Sequence, residues 1–161
     1  MEDRALSLGP VTAMSKATTY ISRSGIAACN DQDLFAFMKD MRNFGTLIPE
    51  GAVTEWHASE DKCSFRIEKA GKVKAELSGV RPFSGIDYVA ETFLPGKVSV
   101  TLNIEPDSAE QSRVTLTVSA FLNPFVKLAV GDKAVMFLNE FISAVENFDG
   151  YGKIRGYSRS L

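Results

Sequence analysis

Residues 98–148 read VSVTLNIEPDSAEQSRVTLTVSAFLNPFVKLAVGDKAVMFLNEFISAVENF, and a change of period within this stretch decides the fold. Val98, Val100, Leu102 and Ile104 alternate with Ser99, Thr101 and Asn103. After a loop over Pro106–Ser112, Val114, Leu116, Val118 and Ala120 alternate with Arg113, Thr115, Thr117 and Ser119. A period of two puts one face of each strand in a core and the other in water, the pattern of an antiparallel sheet. Asn123-Pro124 then stops the sheet, and Pro124 suits a first helical turn. From Phe125 to Phe148 the apolar set is Phe125, Leu128, Ala129, Val135, Met136, Leu138, Phe141, Ile142, Val145 and Phe148. That predicts one helix of about 24 residues, roughly 36 Å long. Gly131 is its weak point.

Working outward toward the start, the same period of two recurs. Ile86–Phe93 is a strand ended by Pro95-Gly96, and Val73, Ala75 and Leu77 alternate with Lys72, Lys74 and Glu76. Cys63, Phe65 and Ile67 alternate in the strand before, after a Glu60-Asp61 turn, and Val53–Ala58 is a short strand before that. Short turns between successive strands predict a meander. Asn30 offers a helix cap, with Asp31 and Asp33 in the first turn. Leu34, Phe35, Phe37, Met38, Met41 and Phe44 follow at helical spacing up to Gly45, and Thr46–Ile48 reads as a further turn before Pro49. Residues 17–29 read as the first strand. The expected fold is α+β: a curved antiparallel sheet of six to seven strands wrapped around a long C-terminal helix, with two short helices after the first strand. Twist supplies the curvature, and Gly79, Pro82 and Gly85 loosen a strand to help it bend.

The chain's 161 residues suit one domain. Residues 1–16 are expected to be a disordered extension, 17–149 the domain, and 150–161 a flexible Gly-rich tail from which Tyr151, Ile154 and Tyr157 are candidates to dock. The start carries Glu2 and Asp3 and lacks the apolar core of a signal peptide. With 18 Lys plus Arg against 20 Asp plus Glu, and no basic run, there is no nucleic-acid footprint. No stretch is long and apolar enough for a transmembrane helix. Cys29 and Cys63 make no disulfide framework and read as reduced, partly buried thiols, so a cytoplasmic location is expected.

The inventory of reactive groups is thin. His57 is the only histidine. It neighbours Trp56, and alternation sends the two side chains to opposite faces. One His and two distant Cys cannot close a metal shell, and no phosphate-binding loop exists, so no metal and no cofactor are expected. Asp87, Val89, Glu91 and Phe93 share one face of their strand, and Ile86, Tyr88, Ala90 and Thr92 share the other. If the first face lines the hollow, Glu91 is a candidate general acid/base; the competing reading pairs it with a Lys or Arg on the convex face. Arg81, near a strand end, is a candidate anchor for a ligand carboxylate, against simple surface pairing.

Aromatic residues are the stronger clue, with 11 Phe in the chain. Phe65, Tyr88 or Phe93, Phe121, Phe137 and Phe141 are candidate walls of a cavity, with Met38, Met41 and Met136 as adaptable lining. Small residues opposite them would leave it open: Ala75, Gly79, Ala90, Ala120, Ala129 and Ala134 are the candidates. The alternative is a filled core. The expected lining is Phe65, Ile67, Tyr88, Val100, Leu102, Leu116, Val118, Phe137 and Phe141.

Three segments give the chain a family resemblance. NDQDLFAFMKDMRNFGTLIPE (residues 30–50) is similar to the strand-to-helix segment of the START-like, or SRPBCC, superfamily, in which a helix ending Asp-x-x-Asn is followed by a kink and Pro; Asp40, Asn43 and Pro49 match. The amphipathic strands from Val53 to Leu122, and the closing helix over NPFVKLAVGDKAVMFLNEFISAVENF, are also similar. The resemblance covers residues 17–149 and extends to birch-pollen-allergen-like proteins, polyketide cyclase/dehydrases and lipid-transfer domains. It is strongest to small uncharacterised bacterial members. It implies a helix-grip fold with a cavity between sheet and helix that takes a small hydrophobic molecule, lipid-like or aromatic. Carriage of such a ligand is the leading expectation. A polyketide cyclase-like enzyme using Glu91, Asp87, Tyr88 or Arg81 is the second. A protein-interaction or co-chaperone-like module, with a homodimer among its forms, is the third.

Overall fold

The alternating segments form eight strands of one antiparallel sheet in the computed structural model of the chain, which describes residues 17–48, 51–68 and 71–151. Expectations placed on residues 1–16, on Pro49, and on Ile154 and Tyr157 lie outside the described residues. In chain order the strands are β1 (Thr18–Ile21), β2 (Gly25–Ala27), β3 (Thr54–Ala58), β4 (Lys62–Ile67), β5 (Gly71–Arg81), β6 (Gly85–Glu91), β7 (Lys97–Ser108) and β8 (Gln111–Ala120). From β3 to β8 each strand pairs with the next as a meander, and β1 and β2 both pair with β8 at the far edge.

The count exceeds the expected six to seven because the first segment is broken at Ser22–Ser24. Ser22 spends its side chain on the ladder: its Oγ accepts from Leu116 N–H at 2.9 Å, and its own N–H donates to Leu116 O at 2.9 Å. The next N–H, on Arg23, leaves the sheet and donates to Asn139 Oδ1 at 2.8 Å on the long helix. A regular strand cannot serve both partners.

Helix α1 spans Asp31–Lys39, capped by Asn30 Oδ1 accepting from Asp33 N–H at 2.8 Å. It stops earlier than helical spacing alone suggests. Asp40 begins a new cap, its carboxylate accepting from Arg42 N–H, and a 3-10 helix runs over Met41–Thr46. Asn43 Nδ2 donates to Phe37 O at 2.9 Å, taking up a carbonyl freed at the end of α1. Asp40 and Asn43 therefore hold the kink that the resemblance implied.

Helix α2 spans Pro124–Asn147, with Asn123 as its cap. It packs against β1, β2 and β8, while α1 packs on β6, β7 and β8. The contact with β2 needs Gly25, since no Cβ fits there beside Ile142. Arg23 donates to Ser143 Oγ at 2.7 Å and pairs with Glu146 at 2.8 Å; Glu146 also accepts from Ile26 N–H at 2.9 Å. Arg23, then that N–H, hold the Glu146 carboxyl below its usual range. Past the helix, Tyr151 is buried, its hydroxyl donating to Val145 O at 2.9 Å and its ring edge-on to Phe37 and Phe148.

Candidate functional site

Strand register lays the inner face of the sheet out in rows. One row holds the larger side chains Ile86, Leu102 and Leu116, with Ile104 and Val114 beyond it. All five are buried, under Leu34, Phe37, Met38 and Met41 of the short helices. The next row runs Tyr20, Val118, Val100, Tyr88, Leu77. A third row is almost entirely small: Thr18 beside Ala120, then Val98, Ala90, Ala75, Cys63 and Ala58. The inner face thus falls from a filled end to a trough of small residues, in which Ala90, Val98 and Ala120 are buried beside Leu94 and Leu122 and Ala75 is half-buried.

Around the trough, apolar side chains are only half covered. Phe65, Val73, Ala75, Val100 and Val118 are all half-buried. Phe65 stacks on Trp56, with centroids 5.8 Å apart. Phe44 of the 3-10 helix bridges the hollow, edge-on to Tyr88 at 5.3 Å and to Phe141 of α2 at 6.3 Å. Along α2 the helical period puts Phe137 one turn before Phe141, and Phe137 is 53% exposed. The hollow is therefore bounded by the small row, the Trp56–Phe65 stack, Phe44 and the Phe137–Phe141 flank.

Its polar groups are few. Tyr88 donates its hydroxyl to Met38 O at 2.8 Å, and burial pushes its pKa up, so it is a neutral, committed donor. Burial likewise pushes the Cys63 thiol up to about 11. Tyr20 differs. Its hydroxyl is buried between β1 and α2, close to Gly131, with no hydrogen-bond partner among the described residues. A buried hydroxyl left unpaired costs stability unless something else satisfies it. Sequence reading missed Tyr20; its place one row from the trough depends on β1 pairing with the last strand, which local pattern does not reveal.

The expected site residues divide accordingly. Phe65, Tyr88, Val100, Val118 and Phe141 surround the hollow, and Phe137 stands at its rim. Leu102 and Leu116 lie in the filled row, beneath α1. Ile67 is half-buried at the last position of β4, opposite Gly71. Arg81 and Glu91 are not in the hollow. Asp87, Val89 and Glu91 occupy the outer face, because Tyr88 and Ala90 take the inner one. Arg81 pairs with Asp87 at 2.6 Å, and that guanidinium, helped by Thr101, holds the Asp87 carboxyl below its usual range. Glu91 is exposed between Lys74 and Lys97 in register. It borders an open groove of about 490 Å³ on the outer face, lined chiefly by His57, Lys62, Ser64, Lys74, Glu76 and Glu91. His57 is exposed and Trp56 turned inward, as alternation required.

This architecture is the START/Bet v1-like, or SRPBCC, fold. Norcoclaurine synthase from Thalictrum flavum matches with a TM-score of 0.61 at 11% identity, over 83% of this chain and 96% of that one. The Zhui aromatase/cyclase from Streptomyces sp. R1128 matches at 0.57 and 13% identity, over 81% and 94%. The protein XoxI from Bacillus cereus matches at 0.58 and 8% identity, over 81% and 92%. A point mutant of the Thalictrum synthase is in complex with a transition-state analogue. No protein-family model and no curated protein matches the chain. Likeness at these identities establishes the fold, and one fold carries many functions. No described helix is long and apolar enough to cross a membrane.

Proposed function

We propose that the protein binds a small, largely apolar molecule in the hollow between the small-residue row and the Phe137–Phe141 stretch of α2. The observation that carries this reading is the row itself. Ala120, Ala90, Ala75, Cys63 and Ala58 line up across strands, and Phe44 reaches from Tyr88 of the neighbouring row to Phe141 of α2. Covering the half-buried Phe65, Val73, Val100 and Val118 would supply affinity at about 25 cal/mol per Å². Tyr20 would orient the ligand by one hydrogen bond. Binding is favoured over acid/base chemistry because Glu91, Asp87 and Arg81 stand on the outer face and Tyr88 is already committed to Met38.

Fluorescence of 1-anilinonaphthalene-8-sulfonate with the folded protein, together with native mass spectrometry of the fresh preparation, tests the reading. Enhanced fluorescence that is abolished by Ala75→Leu, which fills the trough, is expected. Absence of both dye binding and a co-purifying molecule overturns it. A dye signal that survives Ala75→Leu but disappears with Phe125→Ser would place the dye on the exposed end of α2, and also overturns it.

A further inference from the structure

The first turns of α2 and the two neighbouring strand connections present an apolar surface that the fold leaves uncovered. The β6–β7 connection with the first residue of β7 reads TFLPGK (92–97), and the β8–α2 connection with the first two residues of α2 reads FLNPF (121–125). They lie side by side, since Ser99 pairs with Ser119 and Val98 with Ala90. Each splits its Phe-Leu pair in the same way. Leu94 and Leu122 turn inward and pack against Ala90, Val98 and Ala120. Phe93 and Phe121 turn outward, 60% and 54% exposed. Immediately beyond, Phe125 is 85% and Leu128 86% exposed on the solvent side of α2. Four large apolar side chains in two adjoining segments are more than scattered surface residues.

Charge says what would cover them. Within these segments and the first turns of α2 the charged residues are Lys97, Lys127, Asp132 and Lys133, and none of the lysines forms an ion pair among the described residues. Lys72 and Lys74 adjoin on β5, with Glu91 opposite Lys74 and Lys97. The opposite end of the sheet carries Asp31, Asp33, Asp40, Glu60, Asp61, Asp87, Asp107 and Glu110 against Lys39, Arg42, Arg81 and Arg113, so acids outnumber bases there. A chain of formal net charge −2 is thus polarised, with its basic end the one that exposes phenylalanines. Two copies meeting symmetrically through this end would gather Lys97, Lys127 and Lys133 of both into one interface, a concentration of like charge that works against a dimer. A surface both apolar and negatively charged fits both features. Phenylalanine and leucine enter the boundary between headgroups and acyl chains, and lysines meet the phosphates.

We propose that this end is a docking surface for anionic lipid bilayers, with Phe93, Phe121, Phe125 and Leu128 inserting and Lys97 and Lys127 contacting headgroups. The proposal does not require the hollow to hold a ligand. The test is co-sedimentation of the full chain with phosphatidylcholine vesicles and with vesicles carrying one third phosphatidylglycerol. Binding to the anionic vesicles, weakened by salt, is expected. Phe125→Ser with Leu128→Ser should reduce it at least tenfold, and Lys97→Glu with Lys127→Glu should abolish the preference for anionic lipid. These side chains are exposed, so thermal melting should show both variants folded. The proposal is overturned if the wild type does not sediment with anionic vesicles, or if binding is untouched by the Phe125/Leu128 pair. It is also overturned if sedimentation equilibrium shows a dimer that this pair dissolves, because a second copy would then be the occupant.

Discussion

The two ends of the inner sheet face are made from the same alternating pattern and packed in opposite ways. At one end Ile86, Leu102, Ile104, Val114 and Leu116 meet Leu34, Phe37, Met38 and Met41, and the C-terminal half of α2 adds Leu138, Ile142 and Val145, all buried. At the other end alanines face a helix whose Phe125, Leu128, Met136 and Phe137 are exposed. One helix thus leaves large side chains exposed from Phe125 to Phe137 and serves as core from Leu138 to Val145. The lesson is that amphipathic strands specify which face is inward but not whether that face is filled. Side-chain size, row by row, decides that.

The contrast is open to direct attack. The largest effect is expected at the filled end: Leu102→Ala should cost about 3 kcal/mol, read by urea denaturation, because a fully buried side chain leaves a cavity behind. A cost below about 1 kcal/mol would mean that this end is not close-packed.

One substitution made at both ends is the sharper measurement. Ala27, fully buried among core residues, should resist enlargement, and Ala27→Leu should destabilise by about 1–3 kcal/mol through overpacking. Ala75→Leu, in the trough, should change stability by less than about 1 kcal/mol while blocking dye binding. Equal costs at the two positions would erase the distinction between the ends.

The anchoring of α2 carries a smaller, pH-dependent term. Glu146→Ala leaves the Ile26 N–H without its acceptor and should cost about 1 kcal/mol at neutral pH. Arg23 and that N–H depress the folded pKa of Glu146, so its stabilisation is present at neutral pH and lost as pH falls through the carboxylate range into the folded value. The gap between wild type and variant, followed by chemical denaturation from pH 7 downward, should therefore close in acid. A gap that widened would contradict the assigned pairing.

The smallest effect is the most informative about the hollow. Tyr20→Phe removes a hydroxyl with no hydrogen-bond partner among the described residues, so stability should stay within about 0.5 kcal/mol of wild type or rise. Calorimetric melting checks this. A loss well above that range would show that the hydroxyl is already paired within the folded protein.

Much of this was legible in residue order. Alternation put Trp56 and His57 on opposite faces, and Asn30 and Asn123 were readable as positions where helices begin. Asp40 and Asn43 stand out in the Asp-x-x-Asn pattern, and their side chains make the hydrogen bonds of the kink. The eighth strand was not legible, because the break at Ser22–Ser24 exists to meet Leu116 and Asn139, some hundred residues away. Nor was the side taken by Glu91. Its strand offered two faces of mixed character, and only pairing with β5 and β7 chose between them.

By itself, then, the sequence determined most of the elements and the inward faces of the strands that alternate cleanly, because period and capping are local properties of the chain. Only the tertiary structure decided that Ala58, Cys63, Ala75, Ala90 and Ala120 form one row, that Tyr20 lies one row away from it, and that half of α2 stands clear. Those facts depend on register between strands distant in the chain, and register is a sum over the whole sheet that no single segment carries.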